Sequence, residues 1–232
     1  MTYPEIKQAI FIKRPNRFIA IVDLDGKEET VHVKNTGRCK EILVAGAKVY
    51  LEKGRGENRK TAWSLIAVEK EERLINIDSQ APNKIVSEAL LSGQLMLDGL
   101  KPKISMLKPE STFGSSRFDF YYEAENVKGY IEVKGVTLER SDIMLFPDAP
   151  TIRGTRHLTE LIAATRQGFC CYAIFVIQMA GGLWFTPNHE TDPDFTLALH
   201  NAQAGGVHLM AVNCLVTPDT ITAANLMKIK LD

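Results

Sequence analysis

Two carboxylates and one ammonium, Asp119, Glu132 and Lys134, are the residues whose types and spacing suit chemistry on a phosphodiester. Glu132 and Lys134 are two apart in the segment 129–138, rich in aromatic and β-branched residues, which reads as a strand. Side chains alternate along a strand, so these two share a face, about 7 Å apart at their Cα atoms, while Ile131 and Val133 turn to the opposite face. Asp119 lies in a second strand-like segment, 115–123, and joins them only if the hairpin register pairs residues whose numbers sum to an odd value. In that register the acids are hard oxygen ligands suited to Mg²⁺ or Mn²⁺, and the lysine can activate water or offset charge on phosphorus. The plainer alternative is a strand-face ion pair between Glu132 and Lys134.

The elements that must position these residues divide at 80/81. From Ala9 to about Asp78, short β patterns recur over 9–13, 17–24, 30–34, 48–52, 62–69 and 73–77. Asp25-Gly26 reads as a hairpin turn, 54–58 as a loop and 38–44 as a brief helix. That pattern predicts a small all-β barrel in residues 1–80, with an OB-like barrel the natural candidate among several. Ser79 to Asn83 breaks the pattern. Beyond it, residues 81–232 predict an α/β domain: a helix over 84–92 capped by Asn83, strands over 103–108, 115–123 and 129–138 with a loop over 109–114 after the first, and a loop over 141–154. A helix over 155–167, a buried strand over 169–178, a helix over 193–204 and a strand over 206–217 complete it. Glu88, beside the apolar stripe of the first helix, is a candidate secondary acid.

Lysine plus arginine and aspartate plus glutamate each number 28, so the molecule as a whole has no cationic field. Charge is nevertheless uneven: eight basic residues stand against three acidic ones between Val31 and Val68, and residues 1–80 carry a net +3. Arg38, Lys40, Arg59 and Lys60 in that stretch are candidate nucleic-acid contacts, with a solvated basic face as the plainer reading. Arg153, Arg156 and His157 surround the N-terminus of the 155–167 helix. There cations oppose the helix dipole, which points to an anion such as phosphate. No run of about 18 apolar residues is present, and residues 1–5 lack the charge and hydropathy pattern of a signal peptide, so a cytoplasmic location is expected. Four cysteines without C-x-x-C spacing read as buried reduced thiols.

Several motifs in order resemble one known family. They are Asn35-Thr36-Gly37-Arg38, Arg59-Lys60-Thr61, Asn76, Pro82-Asn83, Ser116-Arg117-Phe118-Asp119-Phe120, the segment from Tyr130 to Leu138, Phe146-Pro147-Asp148-Ala149, Arg153-Gly154 and His157-Leu158-Thr159-Glu160-Leu161. Together they look like the sugar fermentation stimulation protein family, and the strand order resembles the restriction-endonuclease-like PD-(D/E)-x-K superfamily. Phe118 stands where that pattern usually has proline. The resemblance implies an N-terminal OB-fold domain, a nuclease-like α/β core with a mixed sheet, DNA binding with little sequence preference, and a regulatory link to sugar use, maltose in particular. It leaves open whether the metal site cleaves DNA or is retained only for binding. A sugar-metabolising enzyme finds no support, for the chain carries no Gly-rich phosphate loop, nucleotide fingerprint or glycosidase-like acid pair.

Overall fold

The computed structural model describes residues 1–35, 37–55 and 59–231; Thr36 and residues 56–58 of the expected 54–58 loop lie outside the described residues. Six strands come first: β1 (Ile6–Lys13), β2 (Ile19–Leu24), β3 (Lys27–Val33), β4 (Lys48–Lys53), β5 (Trp63–Lys70) and β6 (Arg73–Asn76). They pair in the order β3-β2-β1-β4-β5-β6, and a parallel β3–β5 contact closes the first five into a barrel. Closure leaves those five strands no free edge, which suits their short length and alternating burial. Asp25 and Gly26 both have positive φ, 55° and 81°, giving the hairpin turn that joins β2 to β3. The brief helix expected over 38–44 is instead one turn, in which Leu43 N–H donates to Cys39 O at 2.9 Å. Gly46 and the run into β4 end it before a second turn forms.

The remainder is a mixed six-stranded sheet flanked by helices, together with a small three-stranded sheet. In chain order it contains α1 (Ala81–Ser92), β7 (Met106–Phe113), β8 (Ser116–Ala124), β9 (Val127–Val136), β10 (Leu138–Arg140), β11 (Ile143–Phe146) and α2 (Ile152–Arg166). Then come β12 (Tyr172–Ile177), β13 (Trp184–Pro187), α3 (Pro193–Ala204), β14 (His208–Val216) and β15 (Ile221–Leu226). The large sheet runs β15-β14-β12-β9-β8-β7, with β12 parallel to both β9 and β14. Every residue of β12, Tyr-Ala-Ile-Phe-Val-Ile, is buried, as a strand covered on both faces requires. One face packs under α1, with Ile85, Val86 and Ala89 against Phe120, Ile131 and Val133. The other packs under α2 and α3, where Leu158, Leu161 and Phe195 meet Phe118, Tyr130 and Phe175.

Three further expectations need correcting. The 109–114 loop is the second half of β7, because Pro109 sits on an edge strand where no ladder donor is missed. The 141–154 loop contains β11, paired with β10 through a two-residue turn at Ser141 and Asp142, both with positive φ. No Asn-Gly or Asp-Gly pair marks that turn. Asn83 is not a helix cap: α1 begins earlier, Gln80 occupies the cap position, and Pro82 sits in the first turn where its missing N–H costs nothing.

A buried polar seam fastens the barrel to the sheet. Asn76 N–H donates to Gln178 O at 2.9 Å, and Gln178 Nε2 donates to Asn76 Oδ1 and Asp78 O, both at 3.0 Å. Asn76 Nδ2 in turn donates to the Tyr3 hydroxyl at 3.0 Å, while Lys34 Nζ lies 3.1 Å from Asp78 and 2.6 Å from Glu52. Tyr3, Asn76, Asp78 and Gln178 are all buried. A second tie joins Lys70 of β5 to Glu139 of β10 at 2.6 Å.

Candidate functional site

The β8–β9 hairpin carries the predicted cluster. Its register pairs Phe120 with Ile131 and Tyr121 with Tyr130, and the regular pairing ends there, just short of Asp119 and Glu132. Strict alternation nevertheless fails at this point: Phe118 packs with Tyr130 on the α2 side, whereas Phe120 packs with Ile131 on the α1 side. Beyond the last regular pair, the Asp119 carboxylate takes the place of a ladder acceptor. Asp119 Oδ2 accepts Val133 N–H at 2.7 Å, and Oδ1 accepts from Asn83 Nδ2, in the first turn of α1, also at 2.7 Å. Burial and the neighbouring Glu132 charge push the Asp119 carboxyl above its usual value, against these two hydrogen bonds and Lys134.

Glu132 is 3 % exposed and receives two donors on one oxygen. Lys134 Nζ and His157 Nδ1 both bond Glu132 Oε1. Burial raises the Glu132 carboxyl, but the His157 hydrogen bond, the Lys134 charge and their companions outweigh it and hold the group below the ordinary carboxylate range. Its other oxygen, Oε2, is buried and has no hydrogen-bond partner. His157 is buried and held from the other side as well, since Arg153 Nε–H donates to His157 Nε2 at 3.3 Å. In that arrangement Nε2 is the acceptor and Nδ1 the donor toward Glu132.

These contacts reassign several sequence-derived roles. His157 is not a surface anion contact: on α2 it falls in line with Leu158, Leu161 and Ala164, the stripe that faces the sheet. Arg153 lies in the first turn and braces it, while Arg156 is exposed beside Glu160. Glu88 stands outside the cluster, because five residues from Asn83 is about 140° around the helix. It pairs instead with the Met1 ammonium at 2.7 Å and Lys84 at 3.9 Å. Among the described residues, no three His, Cys, Asp or Glu side chains converge as a metal-binding group. A two-carboxylate site is the type Mg²⁺ uses, with water filling the remaining positions.

Of the expected barrel contacts, Arg38 and Lys40 line a groove of about 480 Å³ together with Lys13, Arg14 and Arg17. Lys13 ends β1 and Arg14 and Arg17 lie in the β1–β2 connection, all before the basic window read from the sequence. Arg14 organises this groove: its guanidinium donates to the carbonyls of Arg17, Asn35, Gly37 and Arg38 at 2.5 to 2.9 Å. Arg59 folds back on β5, donating to Thr61 O at 3.3 Å and Ser64 Oγ at 2.7 Å, and Lys60 is exposed. Neither lines the groove. Cys39, Cys171 and Cys214 are buried free thiols and Cys170 is partly exposed.

Residues 80–220 match the family model described as the sugar fermentation stimulation protein RE domain, and residues 12–77 match the SfsA N-terminal OB domain. The chain belongs to the sugar fermentation stimulation protein family. A homolog in Clostridium beijerinckii is 49 % identical over 231 residues, covering 100 % of both chains, and one in Desulfitobacterium hafniense is 48 % identical over 100 % of this chain and 99 % of its own. The solved structure of Pyrococcus furiosus SfsA in complex with Ca²⁺ superposes with a TM-score of 0.88 at 26 % identity, over 99 % of this chain and 98 % of that one. The sugar fermentation stimulation fold is therefore the OB-like barrel and mixed α/β core described above. Among the described residues no helix is long and apolar enough to cross a membrane.

Proposed function

We propose that the chain is a cytoplasmic DNA-binding protein of little sequence preference, with a divalent cation, Mg²⁺ or Mn²⁺, held by Asp119 and Glu132 at a nuclease-like site. One observation carries the cation: Glu132 Oε2 is buried without a partner next to a second carboxylate. A buried, unpaired anionic oxygen is costly, and a hard cation meets that need. The Pyrococcus furiosus relative, solved with Ca²⁺, supports the reading. When bound, the ion would supply Lewis acidity, lowering the pKa of water and offsetting charge at phosphorus.

The chain's own groups supply the rest. Val133 N–H and Asn83 hold Asp119; His157, braced by Arg153, holds Glu132 with Oε2 left over. Lys134, partly exposed beside Glu132, offers a fixed positive charge at the mouth of the site. Lys13, Arg17, Arg38 and Lys40 are exposed around the groove and would meet backbone phosphates. A link to sugar use, as the relatives' name describes, would act through this binding.

Lys134 also favours a second reading, hydrolysis of the phosphodiester, because an ammonium beside the acids has a role in chemistry beyond binding. Two measurements separate the readings. Calorimetric titration of Mn²⁺ or Ca²⁺ should show one site in the native protein and none in Asp119→Asn. Incubation of single-stranded, duplex and branched DNA, and of RNA, with Mg²⁺ or Mn²⁺ against a chelator should show cleavage lost in Asp119→Asn and slowed in Lys134→Ala. Cation binding without cleavage leaves binding as the function; no cation binding at all sinks the proposed site. For the groove, log affinity for DNA should fall linearly with log salt, and Lys40→Ala should flatten the slope by about one unit.

A further inference from the structure

A cavity of about 310 Å³ opens beside the cluster, between barrel and sheet, and its lining differs in kind from the basic groove. It includes Gly135, the residue after Lys134, and Ser79, just ahead of α1. Among its described lining residues there is no lysine or arginine, and Asp148 carries the sole charge. The basic groove, by contrast, is lined by five cations and, among the described residues, no carboxylate. Both cavities include Gly37, so they meet there. Arg38 N–H donates to Asp148 Oδ2 at 3.0 Å and fastens the junction.

The polar groups of this cavity are biased toward acceptors. Both hydrogens of the Gln178 carboxamide are spent on Asn76 Oδ1 and Asp78 O, leaving Oε1 as its available atom. A Cβ at position 135 would lie 2.4 Å from Gln178 Oε1 and 2.9 Å from Pro82, so glycine keeps this wall open. Asp148 has Oδ1 in addition to the oxygen bonded to Arg38. Leu138, Leu145 and Pro150 supply flat apolar wall. Such a site suits a small, uncharged, planar group rich in N–H donors, and its volume is at the small end of ligand pockets, about 300–1,000 Å³.

We propose that this cavity receives a single unpaired nucleobase from a strand whose phosphates run over the basic groove, making single-stranded or locally unpaired nucleic acid the substrate class. The inference rests on the nucleic-acid reading above. A polynucleotide alternates anionic and neutral groups, and here a cationic groove and an acceptor-rich cavity without lysine or arginine among its described lining residues meet at one glycine next to the carboxylate cluster. A paired base has its Watson–Crick edge engaged and cannot offer those donors, so a duplex must first open.

Fluorescence anisotropy with labelled oligonucleotides, in chelator to prevent cleavage, tests this. A single strand should bind roughly tenfold more tightly than the same strand with its bases removed, the worth of one or two buried hydrogen bonds. It should also bind more tightly than the matching duplex. Ala149→Leu, which fills the cavity from its wall, should bring the intact-to-abasic ratio toward one without lowering affinity for the abasic strand. Asp148→Asn keeps an oxygen for Arg38 N–H but replaces the other acceptor by a donor, and should reduce the same ratio; thermal melts check that both variants fold. Equal binding of intact and abasic strands, or a ratio unmoved in both variants, overturns the nucleobase site and leaves DNA binding intact. Failure to bind any of the oligonucleotides overturns both.

Discussion

His157 Nδ1 donates to Glu132 Oε1 inside the sheet–helix interface, and Arg153 closes the other ring nitrogen. The pair leaves Glu132 with one satisfied and one empty oxygen, so the imidazole decides which oxygen points away from α2. His157→Leu removes a donor from a buried carboxylate and should cost about 1–3 kcal/mol of stability. His157→Gln, whose amide can still donate, should recover part of it. Denaturant midpoints measure both, and Mn²⁺ titration should show weaker binding in His157→Leu than in His157→Gln. Equal cation affinity in the two would mean that the ring only fills space.

Asn83 and Val133 N–H both depend on Asp119. Asp119→Ala strands two donors, one of them main-chain, and should destabilise the fold by about 1–3 kcal/mol even though a buried charge has gone. Asn83→Ala leaves the carboxylate with Val133 alone and should cost about 1 kcal/mol. A double-mutant cycle on thermal or chemical unfolding should give a coupling between the two sites; strict additivity would remove the Asn83–Asp119 contact from the account.

Arg14 is a structural cation in a groove of exposed ones. Its four carbonyl bonds gather residues 17, 35, 37 and 38, so Arg14→Lys cannot reproduce them, because an ammonium lacks the planar fork. Arg14→Lys should speed amide hydrogen exchange at residues 37–40 and lower DNA affinity, while Lys13→Ala should lower affinity with exchange unchanged. Unaltered exchange in Arg14→Lys would count against the clamp.

Glu139 supplies a pH handle away from the candidate site. Burial raises its carboxyl, but Lys70, Asp142 N–H and Arg73 hold it below the ordinary 4.5. A depressed native pKa contributes stability that is present above the unfolded value and is lost as pH falls through the folded one. Native protein should therefore lose denaturation free energy below about pH 4.5 more steeply than Glu139→Gln. Parallel curves would show that the ion pair contributes nothing.

The hairpin is the most legible part of the molecule, because aromatic and β-branched alternation leaves only a one-residue choice of register, and the observed pairing of Phe120 with Ile131 is the odd-sum one. The partners of those acids were harder to read. Asn83 next to a proline looks like a cap, and only the true start of α1 at Ala81 turns it toward Asp119. By charge against the helix dipole His157 and Arg153 look like anion contacts, whereas helical phase, with Leu161 and Ala164 one and two turns on, places His157 inward. The expected strand stops short of β7's full length because Pro109 reads as a breaker until its edge position is known. Lys13, Arg14 and Arg17 lie before the charge-rich window and reach Arg38 and Lys40 only when the barrel closes.

The seam through Tyr3, Asn76, Asp78 and Gln178 bears on how the molecule comes apart. Each member is buried, and the hydrogen bonds of Asn76 and Gln178 cross the boundary between barrel and sheet. Opening one side alone would strand several of these groups without partners, so neither half gains by unfolding first. Barrel and sheet should melt as one cooperative unit, with a calorimetric enthalpy equal to the van't Hoff enthalpy. Gln178→Ala should split that single transition into two.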